Sequence, residues 1–176
     1  MKKLVLTLAL AVIAVGANAQ STAMNSYFEK YRDDTTFTYM NFGGKMFQMM
    51  ANIELESEQD QELMEESLGK IKRIQVLRKE NDVDGRAMYS SANKLVSGKD
   101  YEELMFLREK DNDIRFLIKE KDNKVDELLM IMGGSTEFAL LSIVGDGIDL
   151  NALYKLSKSI GMDGFEELEF LDGKKG

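Results

Sequence analysis

The sequence predicts an α+β fold: one domain with a largely antiparallel sheet of about six strands, a C-terminal four-strand meander, and helices packed on it. Three observations carry this. The apolar periodicity switches repeatedly between the 3.6-residue repeat of helices and the two-residue repeat of strands. Late in the chain, four apolar segments are separated by three tight-turn tetrapeptides, the pattern of consecutive hairpins. Setting aside a nineteen-residue leader leaves 157 of the 176 residues, enough for a real core.

Residues 20–34 form a helical N-terminal arm, with Met24, Tyr27, Phe28 and Tyr31 on one helical face. Asp33-Asp34 ends it. Thr35 to Phe42 is rich in Thr, Phe and Tyr and reads as the first strand, broken by Gly43-Gly44. A short helix over Lys45 to Ile53 follows, with Met46, Met49, Met50 and Ile53 at helical spacing. Ser57 is the expected cap of a second helix whose first turns are acidic, which suits the helix dipole. Met64, Leu68 and Ile71 form its apolar stripe. Ile71 to Arg78 alternates and reads as a strand. Asp84-Gly85 opens a helix with Met88, Ala92 and Leu95 inward, stopped by Gly98.

The meander comprises Tyr101–Glu109, Ile114–Glu120, Val125–Met132 and Glu137–Val144. Its turns are Lys110-Asp111-Asn112-Asp113, Lys121-Asp122-Asn123-Lys124 and Gly133-Gly134-Ser135-Thr136. Asp149 caps a final helix with the stripe Leu150, Leu153, Leu156 and Ile160, and the tail over 162–176 is expected to fray.

The leader over residues 1–19 has the three parts of an export signal. Lys2 and Lys3 are its positive start. Leu4 to Val15 is apolar apart from Thr7, and Ala17-Asn18-Ala19 fits the small-x-small cleavage rule. The run falls short of the roughly 20 residues a membrane-spanning helix needs. An uncleaved anchor is the alternative, and the well-placed cleavage site argues against it. No Cys follows the site, so no lipid is attached there. The expected location is the periplasm or cell envelope, with no membrane insertion after cleavage.

The composition excludes much chemistry. With no Cys there are no disulfides, thiol nucleophiles or thiolate metal sites, and with no His the usual general base and zinc ligand are missing. Ser-His-Asp and Cys-His arrangements are therefore impossible. The formal charge of −8 falls to about −10 once Lys2 and Lys3 leave. No basic cluster appears along the sequence, which argues against nucleic acid and against anionic lipid.

Several motifs have a functional and a structural reading. Glu80-Asn81-Asp82-Val83-Asp84-Gly85 matches the front of a calcium-binding EF-hand loop, but the twelfth position is Ser91 where a bidentate Glu is needed. A strand-to-helix turn capped by Asp84 is the favoured reading. The sequence contains 12 methionines, and Met46, Met49 and Met50 with Met40 nearby could hold Cu(I). Without His or Cys to complete a site, they read as core filler. Gly43-Gly44-Lys45 lies between strand and helix, where phosphate can be cradled. It lacks the full P-loop spacing and reads as a strand-ending turn, as does Gly145-Asp146-Gly147 before its cap. Glu62, Glu65 and Glu66 look like a solvated helix face. No catalytic residue, metal ligand or cofactor is identified.

Some segments also carry a family resemblance. They are Gly44-Lys45-Met46-Phe47, Ile71-Lys72-Arg73-Ile74-Gln75-Val76-Leu77, Tyr101-Glu102-Glu103-Leu104 and Glu127-Leu128-Leu129-Met130, followed by the stretch from Phe138 to Leu150. In this order, after an export signal, they resemble the exported bacterial proteins of domain-of-unknown-function family 4252, over roughly residues 24–160. The resemblance implies a small exported protein without an agreed catalytic residue set. Members are often encoded beside extracytoplasmic-function sigma factors, which implies a link to envelope regulation.

Two function classes stay open. One is a non-catalytic envelope module binding a protein partner or itself. The other is a carboxylate-based enzyme or a protein that binds a small apolar ligand. The continuous apolar runs Leu128–Met132 and Phe138–Leu141 imply strands with two apolar faces. Ile114, Phe116 and Ile118 point one way, and Leu117 points the other, between Arg115 and Lys119. If helices cover both faces, both are core. If they cover one, then Leu117, Arg115 and Lys119 border a candidate interaction surface. On export, the mature protein is expected to begin at Gln20. Intact-mass measurement of the envelope fraction checks this, and a membrane-held species retaining Met1 would refute it.

Overall fold

The computed structural model describes residues 22–52, 58–98, 101–151 and 153. The export signal, Ile53, the Ser57 cap, most of the C-terminal helix and the tail lie outside them. The elements are α1 Thr22–Lys30, β1 Thr38–Gly43, α2 Gly44–Ala51, α3 Glu58–Leu68, β2 Ile71–Glu80, α4 Gly85–Val96, β3 Tyr101–Glu109, β4 Asn112–Lys121, β5 Lys124–Gly133 and β6 Glu137–Gly145. The α+β expectation holds: the strands form one six-stranded sheet in the order β1-β2-β6-β5-β4-β3, antiparallel throughout.

The β4–β5 hairpin of the meander follows from its turn. Asp122 and Asn123 both take positive φ, at 52° and 60°. That is the two-residue turn whose twist matches antiparallel strands, and short polar side chains tolerate it. The register then runs from Lys121↔Lys124 to Asp113↔Gly133. Because side chains alternate, this register decides which residues share a face.

One face of the sheet carries Ile114, Phe116 and Ile118 of β4, Leu128 of β5, and Leu141 and Ile143 of β6, against Phe47 and Ala51 of α2 and Leu68 of α3. The other carries Leu77, Leu117, Leu129, Ile131, Phe138 and Leu140 against Met24 and Phe28 of α1 and Ala92 and Val96 of α4. Helices therefore lie on both faces. This explains the unbroken apolar runs of β5 and β6, which have no solvent side.

Helix α4 sits unusually close to the sheet at its start. A Cβ on Gly85 would lie 1.9 Å from the Glu137 carbonyl oxygen, so only glycine permits this backbone-to-backbone approach. Beside it, the Asp84 carboxylate accepts the Ala87 N–H at 2.9 Å and caps the helix, as its place in the sequence predicts. At the far end of the chain the Asp149 carboxylate accepts the Asn151 N–H at 2.9 Å.

Phe116 and Leu117 are 1% and 3% exposed on opposite faces. Phe116→Lys and Leu117→Lys should therefore both destabilise the fold by at least about 3 kcal/mol, each burying an unpaired charge. Thermal melts followed by circular dichroism check this. A Leu117→Lys protein melting like wild type would mean that its face is open to solvent.

Candidate functional site

The three residues singled out from the sequence share one face of β4 but do not form a surface. Leu117 is buried in the cluster beneath α1 and α4, so of the two alternatives the sequence leaves open, the structure has helices over both faces. The physical reason is the placement of α4, which crosses that face on the way from β2 to β3. Arg115 is tied down: its Nε donates to Glu103 at 2.6 Å, and its guanidinium also bonds Asn93 on α4. Lys119 stands in register between Tyr101 and Glu127.

Lys119 belongs to a polar seam across one end of this otherwise apolar face. Tyr101, Lys119, Glu127, Val144 and Arg73 follow one another in register across β3, β4, β5, β6 and β2. Both Glu127 oxygens accept hydroxyl donors, from Tyr101 and from Ser142, each at 2.7 Å. Burial and the adjacent Glu127 charge push the Tyr101 phenol well above its ordinary range. Arg73 reaches Asn25 of α1 at 3.1 Å. Gln75, 1% exposed, and Arg73 each keep one buried nitrogen without a hydrogen-bond partner. A carboxylate with both oxygens engaged by hydroxyls is a joint between strands. It does not have the geometry of a poised acid or nucleophile.

Among the described residues, the carboxylates that the fold shifts move downwards, whereas a general acid near neutral pH needs an upward shift. Asp111 is the clearest. The Ser135 hydroxyl and backbone N–H, with the Arg86 guanidinium, hold its carboxyl down at about 2. The Ser135 N–H approaches to 2.7 Å. This cluster joins the β3–β4 turn to the β5–β6 turn and to the first turn of α4. Asp113 is lowered by the Arg108 fork, Glu29 by Tyr39 and Arg32, and Asp34 by Thr36. Within the loop that resembles a calcium site, Asp84 uses its carboxylate as the α4 cap, and Ser91 falls inside that helix.

The methionines correct the sequence reading. Helix α2 buries Phe47 and Ala51, which turns Met46, Met49 and Met50 outward. Met49 is 64% exposed, and Met40 on the neighbouring β1 is also exposed. The helical stripe was real in the sequence, but a second stripe one residue away faces the sheet. Met40 stands on an edge strand, and α2, which carries the other three, follows it directly: among the described residues, β1 has β2 on one side and no strand on the other. From Thr35 to Gly44 the chain carries no charge. The opposite edge, β3, has Glu102, Glu103, Arg108 and Glu109 and a register shift between Glu103 and Met105, the usual protection against strand pairing.

Asp111 yields a pH dependence of known sign. Its folded-state value of about 2 lies below the ordinary 3.8. The stabilisation is thus present above pH 3.8 and is lost as pH falls through 2. Asp111→Asn should melt below wild type at neutral pH, and the gap should close on acidification across that window. Melts at stepped pH check this; a gap that stays constant to pH 2 would contradict it.

Among the described residues, no helix is long and apolar enough to cross a membrane. No curated protein and no solved structure matches the chain. A family model does match, described as a domain of unknown function (DUF4252) and covering residues 28–156, most of the chain from α1 to beyond β6. The chain, with its two-faced antiparallel sheet, belongs to that family of domains of unknown function.

Proposed function

We propose that this protein is an exported, non-catalytic module of the cell envelope that binds a protein partner by taking an extended segment of it alongside β1. The observation that carries the reading is the uncharged β1 edge with Met40 on it, followed directly by α2 with Met46, Met49 and Met50. An open edge offers backbone donors and acceptors for strand addition, and exposed, flexible methionines adapt to varied apolar side chains.

The occupant we favour is a segment of another protein. A second exported copy would bring a further charge of about −10, of like sign. Strand β1 has six residues and so spans about 20 Å, which suits one extended peptide. Export, suggested by the leader, puts the edge outside the cytoplasm. The downward carboxylate shifts and the occupied Glu127 oxygens favour binding over catalysis.

A photoreactive side chain at the exposed Asn41 should cross-link the exported protein to a partner, with the mapped site inside an extended apolar segment. Met40→Lys with Met49→Lys should cut the yield roughly tenfold, because a lysine on the edge strand opposes pairing and a charge on α2 removes an exposed apolar contact. Circular dichroism should show the variant folded. Cross-linking confined to a second copy, or a yield unchanged by the lysines, would overturn the reading.

A further inference from the structure

A cleft of about 510 Å³ opens where four separate segments converge: the start of α2, the turn from α3 into β2, the first residue of β5 and the turn after β6. Lys45, Lys70, Lys72 and Lys124 line it, with Gln48 and a single carboxylate, Asp146. Four lysines against one aspartate is a marked local reversal in a chain of net charge −8. Asp146 sits 3.7 Å from Lys72, and both side chains are largely exposed, so the pairing is loose. Among the described residues no carboxylate pairs with Lys45, Lys70 or Lys124.

The backbone that presents these lysines is held in place. The Asp146 N–H donates to the Lys70 carbonyl at 3.0 Å, and the Ile148 N–H donates to Val125 at 2.8 Å. A Cβ on Gly44 would come within 2.9 Å of the Lys72 carbonyl oxygen, so α2 begins pressed against β2. Gly43 precedes it in extended conformation and supplies no side-chain cap. The first amides of α2 thus add partial positive charge beside the lysines.

Gathering like charges without partners costs free energy, and a multiply charged anion would relieve it. Phosphate carries close to two charges at neutral pH and more acceptor oxygens than a carboxylate, and lysine binds it as a point charge. The cleft is open to solvent, and its volume of about 510 Å³ exceeds what one phosphate fills. We infer that this lysine-lined cleft binds a phosphate group carried on a larger molecule, either a soluble phosphoester or a lipid headgroup.

Calorimetry with inorganic pyrophosphate at low ionic strength tests the soluble arm. Sedimentation with phosphatidylglycerol-containing vesicles, against pure phosphatidylcholine, tests the lipid arm. Wild type should bind in at least one arm, more weakly as salt rises. The double variant Lys45→Glu, Lys124→Glu should lose roughly tenfold or more in that arm. Lys94→Glu, on exposed α4 across the sheet, should bind like wild type. Binding of pyrophosphate that also competes off vesicles assigns a phosphate site open to soluble ligands. Vesicle binding alone assigns a headgroup site. Since Lys45 and Lys124 are exposed, the double variant should melt normally; Lys45→Ala with Lys124→Ala serves if it does not. No binding in either arm, or binding undiminished in the folded double variant, would overturn the inference.

Discussion

Pairing between β2 and β6 is the constraint on which the rest of the structure depends. The two strands lie far apart in sequence and meet in register from Ile71↔Gly145 to Glu80↔Glu137. Closing such a long loop costs entropy before it yields contacts, so this step needs the apolar faces on both strands to drive it. Once made, it puts β6 in the interior of the sheet with partners on both sides. The nearly complete burial of Phe138 through Ile143 is the result. The pairing also joins the β1–β2 pair to the local meander, converting two partial sheets into one.

That single sheet has two faces to cover, and the helices divide accordingly. α2 follows β1 and, with α3, returns to β2 over one face. α4 leaves β2 and crosses the other to reach β3. The close seat of α4 at Gly85 and the capping carboxylate of Asp84 fix its start. Around this corner, Arg86, Asp111 and Ser135 tie three connections together with charge-assisted bonds. Arg115 does the same further along, through Asn93 and Glu103. The charges of this face thus serve to hold a helix on a sheet.

Polar and apolar character are unevenly distributed over what remains outside. The β3 edge is charged and irregular, while the β1 edge is neutral and is followed directly by the methionines of α2. Lysines from three segments gather where α2 starts, next to the same edge strand. Both features lie at the β1–α2 junction, around Gly43 and Gly44. They are therefore neighbours in the fold, one suited to apolar segments and the other to anions.

Local signals in the sequence were enough to reveal the ten described elements and the meander. Turn chemistry such as Asp122-Asn123 and the switch of apolar period act over a few residues. Asp84 was legible as a cap for the same reason. The methionine stripe was misread because a short helix has two apolar stripes, at 46, 49, 50 and at 47, 51, and periodicity cannot say which one meets the sheet. Leu117 was correctly given its direction, but its burial depended on where α4 would cross. The lysine cluster was invisible, since Lys45, Lys70, Lys72 and Lys124 become neighbours only after β2 pairs with β6. By itself, then, the sequence determined the elements, their order and the chemistry excluded by the lack of His and Cys, because these depend on local backbone preference and on residue type. Tertiary structure alone decided which faces are covered, which strands stand at the edges among the described residues and where positive charge collects, because those are properties of contacts between distant segments.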